Sequence, residues 1–188
     1  QRNFFKIRPW AESNVREYYR KTAQIRNSRQ TEISFDMIYE RIQELYGLTD
    51  SQIEQLKKWE LECEYATSIP YTENIQKVHE LVAGGNTVVL ISDMYLPKAF
   101  VQKLLKKADP LLGELPLFLS SDLGTQKTTK ELFFDVYHTL DYHFGKWIHF
   151  GDNPRADGSI PQSLGIETVN HQIPVMNPYE KKLTQFSG

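Results

Sequence analysis

The apolar positions change period once along the chain, near Pro70, and the change separates two kinds of structure. Ahead of it, Trp10, Val15, Tyr18, Tyr19 and Ile25 recur at roughly helical spacing among Arg, Lys and Glu, which predicts an amphipathic helix from Trp10 to about Arg26. Phe35, Ile38, Tyr39, Ile42, Leu45 and Tyr46 form an i, i+3, i+4, i+7 stripe stopped by Gly47 at a C′ position, a second helix. A third opens on the capping box Thr49-Asp50-Ser51-Gln52 and carries Ile53, Leu56, Glu60 and Cys63 towards Pro70. Residues 1–70 thus predict a helical lobe with no strand.

Beyond Pro70 helices and strands alternate. The pattern predicts helices over Glu73 to Val82 (ended by Gly84-Gly85), Pro97 to Ala108, Thr128 to Phe144 and, briefly, Ser159 to Leu164. Strands fall at Thr87 to Ile91, Leu115 to Leu119, Trp147 to Phe150 and Ile166 to Val169. Such alternation requires right-handed crossovers and a parallel sheet with helices on both faces, so residues 71–170 predict a doubly wound α/β core. From His171 to Gly188 the chain is mostly polar, with Pro174 and Pro178, and predicts an irregular C-terminal arm.

In a parallel sheet the residues just after each strand converge on one edge, where open α/β sheets bind ligands. Three loops align in this way. Ser92-Asp93-Met94-Tyr95-Leu96-Pro97 brings a hydroxyl and backbone N–H groups, Ser120 to Lys127 brings an ammonium, and Gly151-Asp152 with Asp157 brings two carboxylates. Taken alone, the last stretch is equally a solvated Asp-Asn-Pro turn. Together the three suit a phosphoryl group held by Ser92 and Lys127 and bridged to Mg²⁺ by Asp152, because phosphoryl transfer asks a protein chiefly to position groups and neutralise charge.

Composition removes other classes. A net charge of -2 leaves no nucleic-acid footprint, and no apolar run approaches the roughly 20 residues of a membrane span. Cys63 is the only cysteine, which excludes an internal disulfide framework and a cysteine metal cluster; it reads as a buried apolar residue in a reducing, cytoplasmic setting. His149, in a strand whose side chains alternate faces, reads as a buried structural histidine. Glu60, Glu62 and Glu64 read as a solvated or locally paired face. The stripe of Tyr18, Tyr19, Phe35, Tyr39 and Tyr46 reads as lobe core, and Tyr95 and Arg155 as packing and solvated charge beside the loops.

Ile91-Ser92-Asp93-Met94-Tyr95-Leu96-Pro97, Ser121-Asp122 with Lys127 and Leu132-Phe133, and His149-Phe150-Gly151-Asp152 with Asp157 resemble the second, third and fourth motifs of haloacid-dehalogenase-like (HAD) hydrolases. The resemblance spans roughly Phe5 to Val169 and is closest to members in which a helical cap precedes a Ser-Asp-Met-Tyr-Leu-Pro loop. It implies a Rossmann-like core, an inserted helical cap, Mg²⁺ dependence and phosphomonoester hydrolysis through an aspartyl-phosphate. Ser92 then donates to phosphoryl oxygens, Lys127 neutralises nucleophile and phosphate, Asp152 ligates Mg²⁺, and Asp157 ligates it or orients a bound water. Ser92, Asp93, Lys127 and Asn153 form the substrate-facing set. The implied partner is a small phosphorylated metabolite, with a sugar phosphate as the family-level expectation.

One element of that pattern is missing: no Asp-x-Asp occurs in the 188 residues. Asp36 has an apolar lead-in, Ile33-Ser34-Phe35, but its segment continues as a helix with Ile38 two positions on. The expectation is a sheet that lacks its first, central strand, with the nucleophile supplied by an upstream segment. Two other readings stand beside it. One is a non-catalytic HAD-like module that keeps a phosphate or metal site for binding. The other is an unrelated doubly wound domain, against whose nucleotide-binding version the lack of a Gly-x-Gly-x-x-Gly loop counts.

Overall fold

In a computed structural model the structure describes residues 4–22, 29–141 and 145–171. The chain is mixed α/β and divides into two compact units, Gln1–Tyr142 and His143–Gly188. The expected C-terminal arm after His171 lies outside the described residues, as do the predicted end of the first helix near Arg26 and of the long helix at Phe144.

The first unit opens with α1 (Phe4–Thr22), α2 (Phe35–Tyr46) and α3 (Asp50–Thr67). Helix α2 follows its sequence pattern closely. Ser34 caps it, its hydroxyl accepting the Met37 N–H at 3.3 Å, and Gly47 ends it in the left-handed region at φ 61°. Four residues of the predicted stripe, Phe35, Ile38, Tyr39 and Ile42, are buried, whereas Leu45 and Tyr46 in its last turn are exposed. They meet Ala11 and Val15 of α1, Ile33 and Ile53 in one apolar core. Ser34→Ala should cost about 1 kcal/mol of unfolding free energy, through loss of the cap, with an unchanged denaturant slope in a urea titration.

Helix α3 starts as predicted, with Thr49 and Gln52 bonded reciprocally. Its burial differs from expectation: Ile53 is its buried residue and Cys63 is exposed. Cys63 lies ten positions beyond Ile53, about 80° round the helix from it at 3.6 residues per turn, and so falls off the narrow face that α3 buries.

The alternating region begins with α4 (Thr72–Ala83), β1 (Leu90–Ser92), α5 (Lys98–Ala108), a short α6 (Pro110–Glu114) that Asp109 caps, and β2 (Leu117–Leu119). Then come α7 (Ser120–Leu123), a 3-10 turn at Lys127–Thr129 and α8 (Glu131–Thr139). The single long helix expected from Thr128 is broken because Lys130 adopts φ 71° between the turn and α8. In the second unit β3 (Ile148–Gly151) leads through a π-helical turn at Pro154–Ser159 and a one-turn α9 (Ile160–Gln162) to β4 (Glu167–Asn170).

Strand pairing is parallel throughout, as the alternation requires, but it forms two two-stranded ladders rather than one sheet. In the first unit Leu90, Ile91 and Ser92 pair with Leu117, Phe118 and Leu119. In the second, Ile148 to Gly151 pair with Glu167 to Asn170. Among the described residues no strand joins the two ladders, and β1 starts at Leu90, so Thr87 to Val89, predicted as strand, lie ahead of it outside the ladder. No helix among the described residues is long and apolar enough to cross a membrane.

Candidate functional site

The register of β1 on β2 sets the geometry of the first unit's sheet edge. Because Ser92 pairs with Leu119 in parallel, the residues that follow, Asp93 and Ser120, leave the ladder side by side. Three hydrogen bonds fasten the two exits together. The Met94 N–H donates to Ser120 Oγ at 2.8 Å, the Ser121 hydroxyl donates to the Leu96 carbonyl at 2.9 Å, and the Lys127 N–H donates to Asp93 Oδ1 at 3.0 Å. Leu96 is then drawn into the helical core at 3% exposure. Ser92, Asp93 and Lys127 thus lie on one edge, partly exposed, with Asp93 in direct contact with the Lys127 backbone.

The second unit organises its carboxylates differently from one another. Asp152 follows β3 directly and is exposed. Asp157 is 6% exposed, with Oδ1 2.8 Å from His149 Nε2 and Oδ2 accepting the Asn153 N–H at 3.1 Å. A carboxylate only accepts, so His149 Nε2 carries the proton in that bond. The buried structural role expected of His149 is met, and its partner is Asp157. Gly151 makes room for the pair: a Cβ there would stand 2.3 Å from Asp157 Cγ and 2.4 Å from its Cβ. Asn153 is exposed, and its Oδ1 accepts the Arg155 and Ala156 N–H groups at 3.0 and 2.9 Å, capping the π-helical turn. Arg155 is exposed in that turn.

The two groups of residues belong to different units, Ser92, Asp93 and Lys127 to the first and Asp152, Asn153 and Asp157 to the second. Among the described residues no cluster of three or more His, Cys, Asp or Glu side chains is arranged to hold a metal ion. Mg²⁺ does not need such a cluster, since it is commonly held by one or two carboxylates with waters and substrate phosphate oxygens. An exposed Asp152 fits that requirement. Asp36, the weak nucleophile candidate, is an exposed first-turn residue of α2 whose Oδ1 pairs with Lys57 Nζ at 2.9 Å.

A buried ionic network, invisible to motif reading, lies beside the first unit's edge. Arg8 is 8% exposed; its Nε and Nη2 grip the Glu60 carboxylate at 2.8 Å each, and its Nη1 reaches Glu12 at 3.0 Å. The guanidinium sits 4.8 Å from the Tyr95 ring centroid, and Tyr39 donates its hydroxyl proton to Glu60 at 2.6 Å. Burial alone would lower the Arg8 pKa, but the hydrogen bond and charge of Glu60 and the bond to Glu12 outweigh it and raise it. Burial, then the hydrogen bond and charge of Glu60, pushes the Tyr39 phenol far up; Tyr95 is raised by burial, against the Arg8 charge. Glu60 is therefore not part of a solvated face: i, i+4 spacing from Glu64 describes α3 alone and says nothing of Arg8, 52 residues away. Glu32, 2% exposed, is the second carboxylate that spacing could not reveal.

The sequence matches no protein-family model and no curated protein.

Proposed function

We propose that the protein is a Mg²⁺-dependent phosphomonoester hydrolase of the HAD type, acting on a small phosphorylated metabolite such as a sugar phosphate in the cytoplasm. Residues 71–170 would supply a Rossmann-like core with helices on both faces, and residues 1–70 its helical cap. The observation that carries the reading is the bond of Asp93 to the Lys127 backbone at the common end of two parallel strands. It sets a hydroxyl residue and a lysine on one edge, the pairing a phosphate requires. Ser92 and Lys127 would bind the phosphoryl oxygens, with Asp93 and Asn153 facing substrate. Asp152 would ligate Mg²⁺, which when bound offsets the charge of the phosphoryl group. Asp157, whose oxygens already accept from His149 and Asn153, suits orienting a metal-bound water better than direct ligation.

The nucleophile in this scheme lies outside the 188 residues, since none of their aspartates forms an Asp-x-Asp pair. That absence also favours a second reading, a non-catalytic module that binds phosphate or metal. Phosphate release from p-nitrophenyl phosphate separates the two, measured for the chain with and without its upstream residues. The expected result is Mg²⁺-dependent release by the extended protein alone, abolished by EDTA and lowered about tenfold or more by Ser92→Ala. Release at ordinary rates by the 188-residue chain would refute the external nucleophile. An extended protein that binds phosphate without hydrolysing esters would establish the binding module.

A further inference from the structure

We propose that Glu32 is a positioning residue that fixes the loop following Ser92, acting through the hydroxyl of Ser120. Glu32 and Ser120 are buried, at 2% and 0% exposure. Glu32 Oε1 accepts from Arg16 Nη1 at 2.6 Å and from the Ile33 N–H at 2.8 Å, and Oε2 accepts the Ser120 hydroxyl proton at 3.0 Å. Ser120 Oγ in turn accepts the Met94 N–H at 2.8 Å. Glu32 is held at this edge by the main chain as well, since the Thr31 and Glu32 N–H groups both donate to the Gly124 carbonyl at 2.8 and 3.1 Å.

The direction of these bonds is what makes the chain informative. An ionised carboxylate has no proton to give, so it commits the Ser120 hydrogen to itself and leaves the Ser120 lone pairs for Met94. The Met94 carbonyl, 3.3 Å from the same Oγ, is the competing acceptor. Met94 is two residues beyond Ser92 and one beyond Asp93, so its amide sets where the phosphate-binding loop leaves β1. A purely structural ion pair between Glu32 and Arg16 would need charge at Glu32 but would be indifferent to which way the Ser120 proton points.

Glu32→Gln changes both the charge at Glu32 and the direction of the Ser120 proton at nearly constant volume, and it is Ser120→Ala that separates the two roles. The amide oxygen is demanded at the Oε1 position, where Arg16 and Ile33 both donate, so the NH₂ faces Ser120 and donates to Oγ. The hydroxyl then turns to the Met94 carbonyl, and the Met94 N–H has to share the two Oγ lone pairs with the new amide NH₂, which weakens its bond. Ser120→Ala removes the same link while leaving Glu32 its bonds to Arg16 and Ile33, and so guards against a Glu32 variant that does not fold.

The catalytic part of the inference rests on the phosphatase reading; the positioning part does not. In the intact protein, amide hydrogen exchange at Met94 and the kcat and KM for p-nitrophenyl phosphate with Mg²⁺ test both. Each single variant should speed Met94 exchange about tenfold and lower kcat by about the same factor with little change in KM, as expected for one lost hydrogen bond. The double variant should be no worse than the worse single one, because both changes break one chain of bonds. Unchanged Met94 exchange in folded Ser120→Ala protein, or additive effects, would overturn the proposal. If the wild-type protein releases no phosphate, the phosphatase reading falls and Met94 exchange still decides the role of Glu32.

Discussion

Replacing Arg8 by methionine is expected to lower the unfolding free energy by about 3–5 kcal/mol, the usual cost of stranding one member of a buried ion pair. Methionine fills much of the same space, so the loss comes from Glu60. Its side chain is only 13% exposed, and without Arg8 it retains the Tyr39 hydroxyl but, among the described residues, no ion-pair partner. Glu12 suffers less, because Arg16 Nε stays 2.9 Å from it. The double variant Arg8→Met with Glu60→Gln should recover roughly 1–2 kcal/mol of the deficit, since an amide tolerates burial without a counter-charge. Equilibrium urea unfolding of the four proteins in the cycle gives the coupling directly. Strictly additive losses would mean that the pair is independent of its own charge and that the network is packing alone.

The second large effect belongs to Gly151. Gly151→Ala should destabilise the second unit by roughly 2–4 kcal/mol, combining overpacking with disruption of a buried polar pair. The new methyl would meet not only Asp157 Cγ but its Cβ, at 2.4 Å. Rotation about χ1 moves Cγ aside and leaves Cβ where it is, so the turn itself must shift and the bond from His149 is lost. A specific rescue follows. Asp157→Gly, which removes Cβ, should relieve much of the strain of Gly151→Ala, whereas Asp157→Ala should not. The His149 imidazole resonances report the outcome by NMR alongside the unfolding curve. If alanine and glycine at 157 rescue equally, the contact is not the source of the strain.

The parts of the fold legible in the sequence are those decided within one or two turns of chain. Ser34, the Phe35-Ile38-Tyr39-Ile42 stripe and Gly47 specify α2 by capping, amphipathicity and a left-handed stop, all local. The Thr49 to Gln52 box does the same for the start of α3. Parallel pairing was legible from the alternation of helices and strands, and the convergence of Ser92 with Lys127 from the rule that parallel strands end on one edge. Cys63 was misread because α3 buries a narrower face than its apolar content suggests. Lys130 was misread because nothing in a helix-forming Lys-Glu-Leu-Phe-Phe stretch announces a left-handed residue at its head. The roles of Glu60, Glu32 and Ser120 are not legible in the sequence for a different reason. Their partners lie on other elements, so their chemistry depends on how helices pack and not on any spacing along one of them. Asp157 illustrates the limit at the site itself: a carboxylate five positions after Gly-Asp reads the same whether it faces a cation or a histidine.

The bond between Glu32 and Ser120 closes a span of 88 residues, and the exposed Gly84-Gly85 turn lies within it. Loop-closure entropy grows only with the logarithm of length, so about eight residues added at that turn would raise the closure cost by roughly 0.1 kcal/mol. Gly85 already occupies the left-handed region at φ 78° with nothing within 4 Å of where a side chain would project. The turn is therefore a place where an epitope or a spectroscopic label can be spliced into the chain while the polar link between its distant ends remains closed.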